Sequence, residues 1–351
     1  MSTGMCKKTV RIFFVTLILM VVGGLVLPKP TVCDAKSKMK FFHTKGKNKS
    51  DVKALKKIIR ENLRKDCYID NLYTDSEWSI YQYTNLNSSK YQWDAKGRLV
   101  RFEMKGALKG NVSFSKFKKL EYLSVGESMR YERKGRIKSL DIKGCTSLEY
   151  LDCHGNQLTK LDLSYNKELR TLNCSSNQIQ KLDLSKNKSL ESLFCWDNIL
   201  RKLYISDCKS LKEIECARNH FSGFFNISNN TALVTLNWSG NKLKGLNVSS
   251  NTALKYLDCS DNKLKSLDIF GCKQLESFNC SDNKLRSLDV SSNTALESLE
   301  CYDNKLRSLD VSSNIALISL VCYDNLITSL NFTNNKNTKE IKCDDTVMIL
   351  R

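Results

Sequence analysis

Proline is almost missing: 351 residues contain two, Pro28 and Pro30. Turns in such a chain must be made by other residues, asparagine, aspartate and serine first among them. Histidine is nearly as scarce, with only His43, His154 and His220. Imidazole is the commonest general base and metal ligand, so little acid–base or metal chemistry is to be expected. His154 does adjoin Cys153, but successive strand residues point to opposite faces, so this thiol and imidazole would diverge. No residue set reads as catalytic or metal-ligating. An enzyme is the third and weakest reading, and no cofactor is expected.

Long apolar runs are equally rare. The one present, "IFFVTLILMVVGGLVL" (12–27), follows Lys7, Lys8 and Arg11 and precedes the small-residue stretch "VCDA". That order is the one of a secretory signal, and the run falls short of the roughly 20 residues of a spanning helix. Residues 1–35 are therefore expected to be a signal peptide, with an uncleaved signal anchor as the alternative. The expected location is secreted or at the extracellular surface, tethered to the membrane if cleavage does not occur. Also absent are a cell-wall sorting motif and the glycine-rich nonapeptide of calcium-binding β-rolls. Two acid columns, Asp162 to Asp310 and Asp261 to Asp324, are accordingly expected to pair with nearby Lys263, Lys284, Lys305, Arg286 and Arg307 instead of holding an ion.

A repeat dominates what is present. The pattern L-x-x-L-x-C-x-x-N-x-L-x-x-L-D-[LV]-S-x-N-x-x begins at Leu148 and restarts every 21 residues to Leu317, with one interval of 22 at "NHFSGFF" (219–225). Phe224 and Phe225 compete there for one leucine position. Leu99 and Leu120 begin two degenerate units, the second stretched by "MRYERKGR" (129–136). The L-x-L alternation is a strand signal of period 2. One asparagine column runs from Asn156 to Asn325. A second, from Asn166 to Asn335, is interrupted by Cys208 and Cys272, with Cys145 at the equivalent place one unit earlier. Asparagine accepts turn conformations, and its amide can bond the backbone of an adjacent unit. No unit can bury its leucines alone, so the units must stack.

These units resemble bacterial leucine-rich repeats of the short, 21-residue kind, similar to those of internalin-like secreted surface proteins. The resemblance implies a right-handed solenoid, mostly β with little or no convex helix, of about 11 rungs. It also implies protein recognition without naming a ligand. The expected organisation is a basic N-terminal segment and helical cap over 36–97, the solenoid over 98–346, and a short C-terminal tail at 347–351. The cap rests on "SDVKALKKIIRENLRK" (50–65), where apolar residues recur at helical spacing and Ser50 or Asp51 would be the N-cap. "YQWDAKGRLVRFEM" (91–104) reads as two strands around a Lys-Gly turn.

Fifteen cysteines are many for an exported chain. Nine of them, Cys153, Cys174, Cys195, Cys216, Cys259, Cys280, Cys301, Cys322 and Cys343, take an inward position that related repeats give to leucine. Trp238 fills the same column in one unit. A core tolerates that exchange, whereas a disulfide or metal array does not, so buried reduced thiols are expected.

The net charge is +19, and residues 36–70 carry 12 Lys/Arg against four acids. Export makes nucleic acid an unlikely partner for so basic a chain, and an acidic cell-wall polymer bound through residues 36–65 the better alternative. The most informative positions are the outward residues of the first strand of each unit. Phe194, Trp196, Tyr256, Tyr302, Val321 and Tyr323 would be interface anchors there, with Glu213, Glu215 and Glu300 adding charge selectivity. The chain is thus expected to be an exported, monomeric, non-enzymatic binder of a protein partner. The runner-up is a wall- or glycan-binding envelope protein.

Overall fold

A computed structural model describes residues 43–63, 90–127 and 136–350. The expected signal segment, the ends of the basic segment and nearly all of the 129–136 insertion lie outside the described residues. Twelve parallel strands form one continuous sheet, joined at its start by the antiparallel strand Tyr91–Trp93. Rungs 1 to 12 are numbered here by these strands: Leu99–Glu103, Tyr122–Ser124, Tyr150–Asp152, Thr171–Asn173, Ser192–Phe194, Glu213–Glu215, Thr235–Asn237, Tyr256–Asp258, Ser277–Asn279, Ser298–Glu300, Ser319–Val321 and Glu340–Lys342. The opposite side of the solenoid carries only two-stranded pairs, such as Lys181–Asp183 with Lys202–Tyr204, and no helix among the described residues. At the usual strand spacing, twelve rungs span on the order of 50 Å.

Twelve rungs accord with the expectation of about 11, with one more than the leucine-led units. The twelfth is concealed in the sequence because Thr338 stands where the leading leucine belongs; its hydroxyl donates to the Leu317 carbonyl at 2.8 Å. Asp344 closes this end. Its two carboxylate oxygens accept from the Asp324 N–H (2.9 Å) and the Asn325 N–H (3.4 Å), donors that in earlier rungs reach carbonyls of the following rung. Strand Met348–Leu350 then pairs with Ser329–Asn331 on the outer side.

Leucines fill the core, and each fully buried one stabilises the stack by about 1.5 to 3 kcal/mol. The cysteine column lies among them, buried from Cys153 to Cys322, with Cys343 half-buried in the twelfth rung and every described cysteine unbridged. Trp238 is buried in the same column. The extra residue of rung 6 makes room for it. A register shift between Gly223 and Phe224 turns Phe225 inward, 4.4 Å ring to ring from Trp238, and leaves Phe224 85% exposed. The Phe224 ring lies against Gly245, where any side chain would collide with it.

Both asparagine columns are buried, save half-buried Asn325 at the end of the first, yet they are bonded differently. In the first, Asn177 donates to the carbonyls of Cys153, Cys174 and Ser175, while its Oδ1 accepts from the Leu158 N–H. The amide therefore ties its own rung to the preceding one. In the second, Asn187 donates to Leu163 O and Asn166 O, and its Oδ1 has no partner. Where cysteine replaces asparagine, the thiol serves the equivalent carbonyl: Cys208 reaches Leu184 O at 3.2 Å and Cys145 reaches Phe114 O at 3.2 Å. That shared acceptor explains why the two residue types alternate in this column.

Helix α1 (Lys49–Asn62) plugs the first rung, burying Val52, Leu55, Ile58 and Ile59 against it. Its N-cap is Asn48, whose Oδ1 accepts from Ser50 and Asp51 N–H groups, and not Ser50 or Asp51 as the sequence suggested. Asp51 is engaged elsewhere, accepting from the Leu99 N–H at 2.9 Å.

Candidate functional site

In-register parallel pairing fixes where the outward residues fall. Along the three-residue strands of rungs 2 to 11 the middle residue is buried and its two neighbours lie on the opposite face, half-exposed or exposed except for the buried Ser124 and Asp152. Glu215 pairs with Phe194, and Glu300 with Val321, so side chains one rung apart form rows across the sheet. All nine residues singled out in the sequence lie on this one surface. They fall into two groups, Phe194, Trp196, Glu213 and Glu215 on rungs 5 and 6, and Glu300, Tyr302, Val321 and Tyr323 on rungs 10 and 11. Tyr256 stands between them on rung 8, 47% exposed; Trp196 is 36% exposed. The rings of Tyr302 and Tyr323 stack at 4.8 Å with 13° between their planes.

Carboxylates crowd the same surface. Burial, followed by repulsion from Glu213 and Asp258, pushes the Glu215 carboxyl above its ordinary value, despite a hydrogen bond with Asn237. At the sheet edge, nine successive residues in one column, from Gly155 to Asp324, have φ between +48° and +67°. Such a backbone favours Gly, Asn and Asp, and aspartate fills the last four places. Burial, then a hydrogen bond shared with Asp303, raises the Asp282 carboxyl. The lysines expected to neutralise these acids do not. Among the described residues no ion pair joins Asp261, Asp282, Asp303 or Asp324 to Lys263, Lys284 or Lys305, and the aspartates of the other column accept from the backbone two residues on, as Asp289 does from Ser291 N–H. In that column Asp162 does pair, with Lys143 of the preceding rung at 3.3 Å, and further pairs run across rungs beside the sheet: Arg170–Glu191 at 2.9 Å, Lys212–Glu191 at 2.7 Å and Lys255–Glu276 at 2.7 Å.

Two features of this surface escaped the sequence reading. Tyr122 and Tyr150 stack at 4.3 Å with 2° between planes, and the Arg101 guanidinium lies 3.4 Å from the Tyr122 ring centre. Tyr122 sits in a degenerate unit whose register only the pairing with rung 3 reveals. The second is a polar cluster around Asp152, which accepts from Ser124 Oγ at 3.0 Å and lies 2.6 Å from His154 Nδ1. Burial raises the Asp152 carboxyl, but the His154 and Ser124 hydrogen bonds outweigh it and leave it below its ordinary value. The i, i+2 spacing was the available signal. Ser124 bonds the carboxylate and not the imidazole, so the group lacks the nucleophile–base contact that hydrolysis requires. Cys153 faces the core, away from His154. Among the described residues no set of three or more His, Cys, Asp or Glu is arranged to hold a metal ion, and no helix is long and apolar enough to cross a membrane.

The family model for Leucine Rich repeats (2 copies) matches residues 252–293. No curated protein matches the chain. Among solved structures, the functional domain of InlJ from Listeria monocytogenes, described as including a cysteine ladder, is 33% identical over 66% of this chain, with a TM-score of 0.62. The match covers 50% of that structure, so this chain corresponds to half of its length. The leucine-rich-repeat protein LIC12759 of Leptospira interrogans is 18% identical over 72% of this chain and 83% of its own, with a TM-score of 0.51, a likeness of fold alone. The internalin InlF of Listeria monocytogenes is 18% identical over 70% of this chain and 86% of its own, with a TM-score of 0.47. The chain is a leucine-rich-repeat solenoid with similarity to bacterial internalins.

Proposed function

We propose that the chain is an exported, non-enzymatic binding protein that holds a protein partner on the concave face of its solenoid, the face formed by the twelve-strand sheet. The observation that carries this reading is the row of exposed or half-exposed aromatics, Trp196, Tyr256 and the Tyr302–Tyr323 stack, fixed on one continuous sheet. Aromatic side chains supply large contact area at small entropic cost, and a rigid backbone lowers that cost further. Glu213, Glu215 and Glu300 stand among these anchors and would favour a partner of positive potential. The likeness to InlJ of Listeria monocytogenes supports a surface or secreted setting.

The test is capture from bacterial-surface and host-cell extracts, followed by measurement with the purified partner. Trp196→Ala together with Tyr323→Ala is expected to abolish capture while leaving the melting temperature nearly unchanged. Full binding by the double variant would overturn the assignment of the face.

A further inference from the structure

Helix α1 has two unlike faces. Its apolar face is spent on the solenoid, and both ends are fastened: Asp51 accepts from Leu99 N–H, and Asn62 Nδ2 donates to Lys109 O and Asn111 O at 3.0 and 2.9 Å. The preceding loop is fastened as well, through the Asn48 N–H bond to Gly97 O at 2.7 Å. Gly97, with φ +68°, is obligatory because a Cβ there would strike Gly46 O.

The outward face is almost purely cationic. Lys49, Lys53 and Lys57 follow one another at i, i+4 and i+8, about 6 Å apart along the axis. All three are exposed, and none has an ion-pair partner among the described residues. Like charges at this spacing destabilise a helix, so the row gains from any counter-charge laid along it. Loop and helix together border a cavity of about 670 Å³ lined by these lysines with Lys45, Lys47 and Lys56.

We propose that this cleft binds a phosphodiester polymer. Three features select that chemistry. The lining holds six lysines to one arginine and one acid, Glu61, and lysine meets phosphate as a point charge, whereas planar carboxylates favour the forked guanidinium. The cations form a line, matching a repeating anion and not a single one. The helix also has no apolar side chain left to insert in a bilayer, since Val52, Leu55, Ile58 and Ile59 are buried beneath it, which disfavours a lipid surface. The proposal stands independently of the concave-face reading.

The experiment is titration of the whole chain with purified poly(glycerol phosphate), with inorganic phosphate and phosphatidylglycerol vesicles in separate arms. Wild type is expected to bind the polymer with an affinity falling linearly in log–log salt plots. Lys49→Gln, Lys53→Gln and Lys57→Gln together should weaken binding at least tenfold and make the salt slope shallower by about 2. Glutamine keeps helix propensity, and circular dichroism checks that the fold survives. The matched variant Lys263→Gln, Lys284→Gln, Lys305→Gln should bind as wild type. Equal losses in the two triple variants, no loss in the first, or binding to vesicles or free phosphate without the polymer would each overturn the proposal.

Discussion

The amide nitrogen of Asn283 donates to the carbonyl of Cys259, one rung back, at 3.0 Å, and its Oδ1 accepts from the Leu264 N–H at 2.9 Å. The amide also donates to Cys280 O of its own rung at 3.2 Å, so one side chain satisfies buried backbone groups of two rungs. Ten residues on, Asn293 is as deeply buried but only donates, to Ile269 O and Cys272 O, with an idle Oδ1. Asn283→Ala should cost about 3 kcal/mol, because it strands a buried N–H, and Asn293→Ala about 1 kcal/mol. Urea unfolding of the two single variants checks the order; equal midpoints would show that the two columns do the same job.

The two cysteine columns should respond oppositely to one substitution. Cys208→Asn restores the residue its column prefers and is expected to change stability by no more than about 1 kcal/mol. Cys301→Asn places a larger, polar amide among buried leucines, and is expected to cost more than about 3 kcal/mol. Thermal melts of both variants decide the matter.

Alkaline pH should unfold the chain progressively. Burial pushes the Cys272 thiol up to about 11 and, ahead of a nearby aspartate, Cys145 and Cys208 up to about 12. Above the ordinary value of 9 the unfolded chain releases thiol protons that the folded chain retains. Stability is therefore complete below pH 9 and falls as pH rises towards 11 to 12. Melting temperatures between pH 7 and 11 measure the slope, and a thiol reagent at pH 8 should label Cys343 well ahead of the buried thiols.

Trp238 cannot simply revert to the residue of its column. Trp238→Cys would empty the space that Phe221, Phe225 and the bulge at Gly223 have shaped around the indole, at a cost of about 3 to 5 kcal/mol. Chemical unfolding checks this; a loss below about 1 kcal/mol would mean that rung 6 collapses freely.

Much of this fold is written in one dimension because each rung touches only its neighbours. The 21-residue spacing of Leu148 to Leu317 specifies the strand, its inward face and the stacking order together, and the aspartates at positive φ mark the turn. The twelfth rung escaped notice because Thr338 and Asp344 do by side-chain hydrogen bonding what leucine and a following rung do elsewhere. The N-cap was misplaced because Asp51, a good capping residue locally, is drawn away to Leu99, 48 positions on. Asp282 and Lys284, close in sequence, form no ion pair, and Asp282 shares a hydrogen bond with Asp303 of the next rung instead.

The sequence by itself determined the repeat, the inward cysteines and which residues vary on the exposed strand face, since local alternation and stacking leave a single way to bury so many leucines. Only the tertiary structure decided that Tyr122 stacks on Tyr150, that Asp303 shares a hydrogen bond with Asp282, and that Phe225 and not Phe224 turns inward to Trp238. Those contacts join different rungs, and their geometry comes from register and bulges that no single repeat encodes.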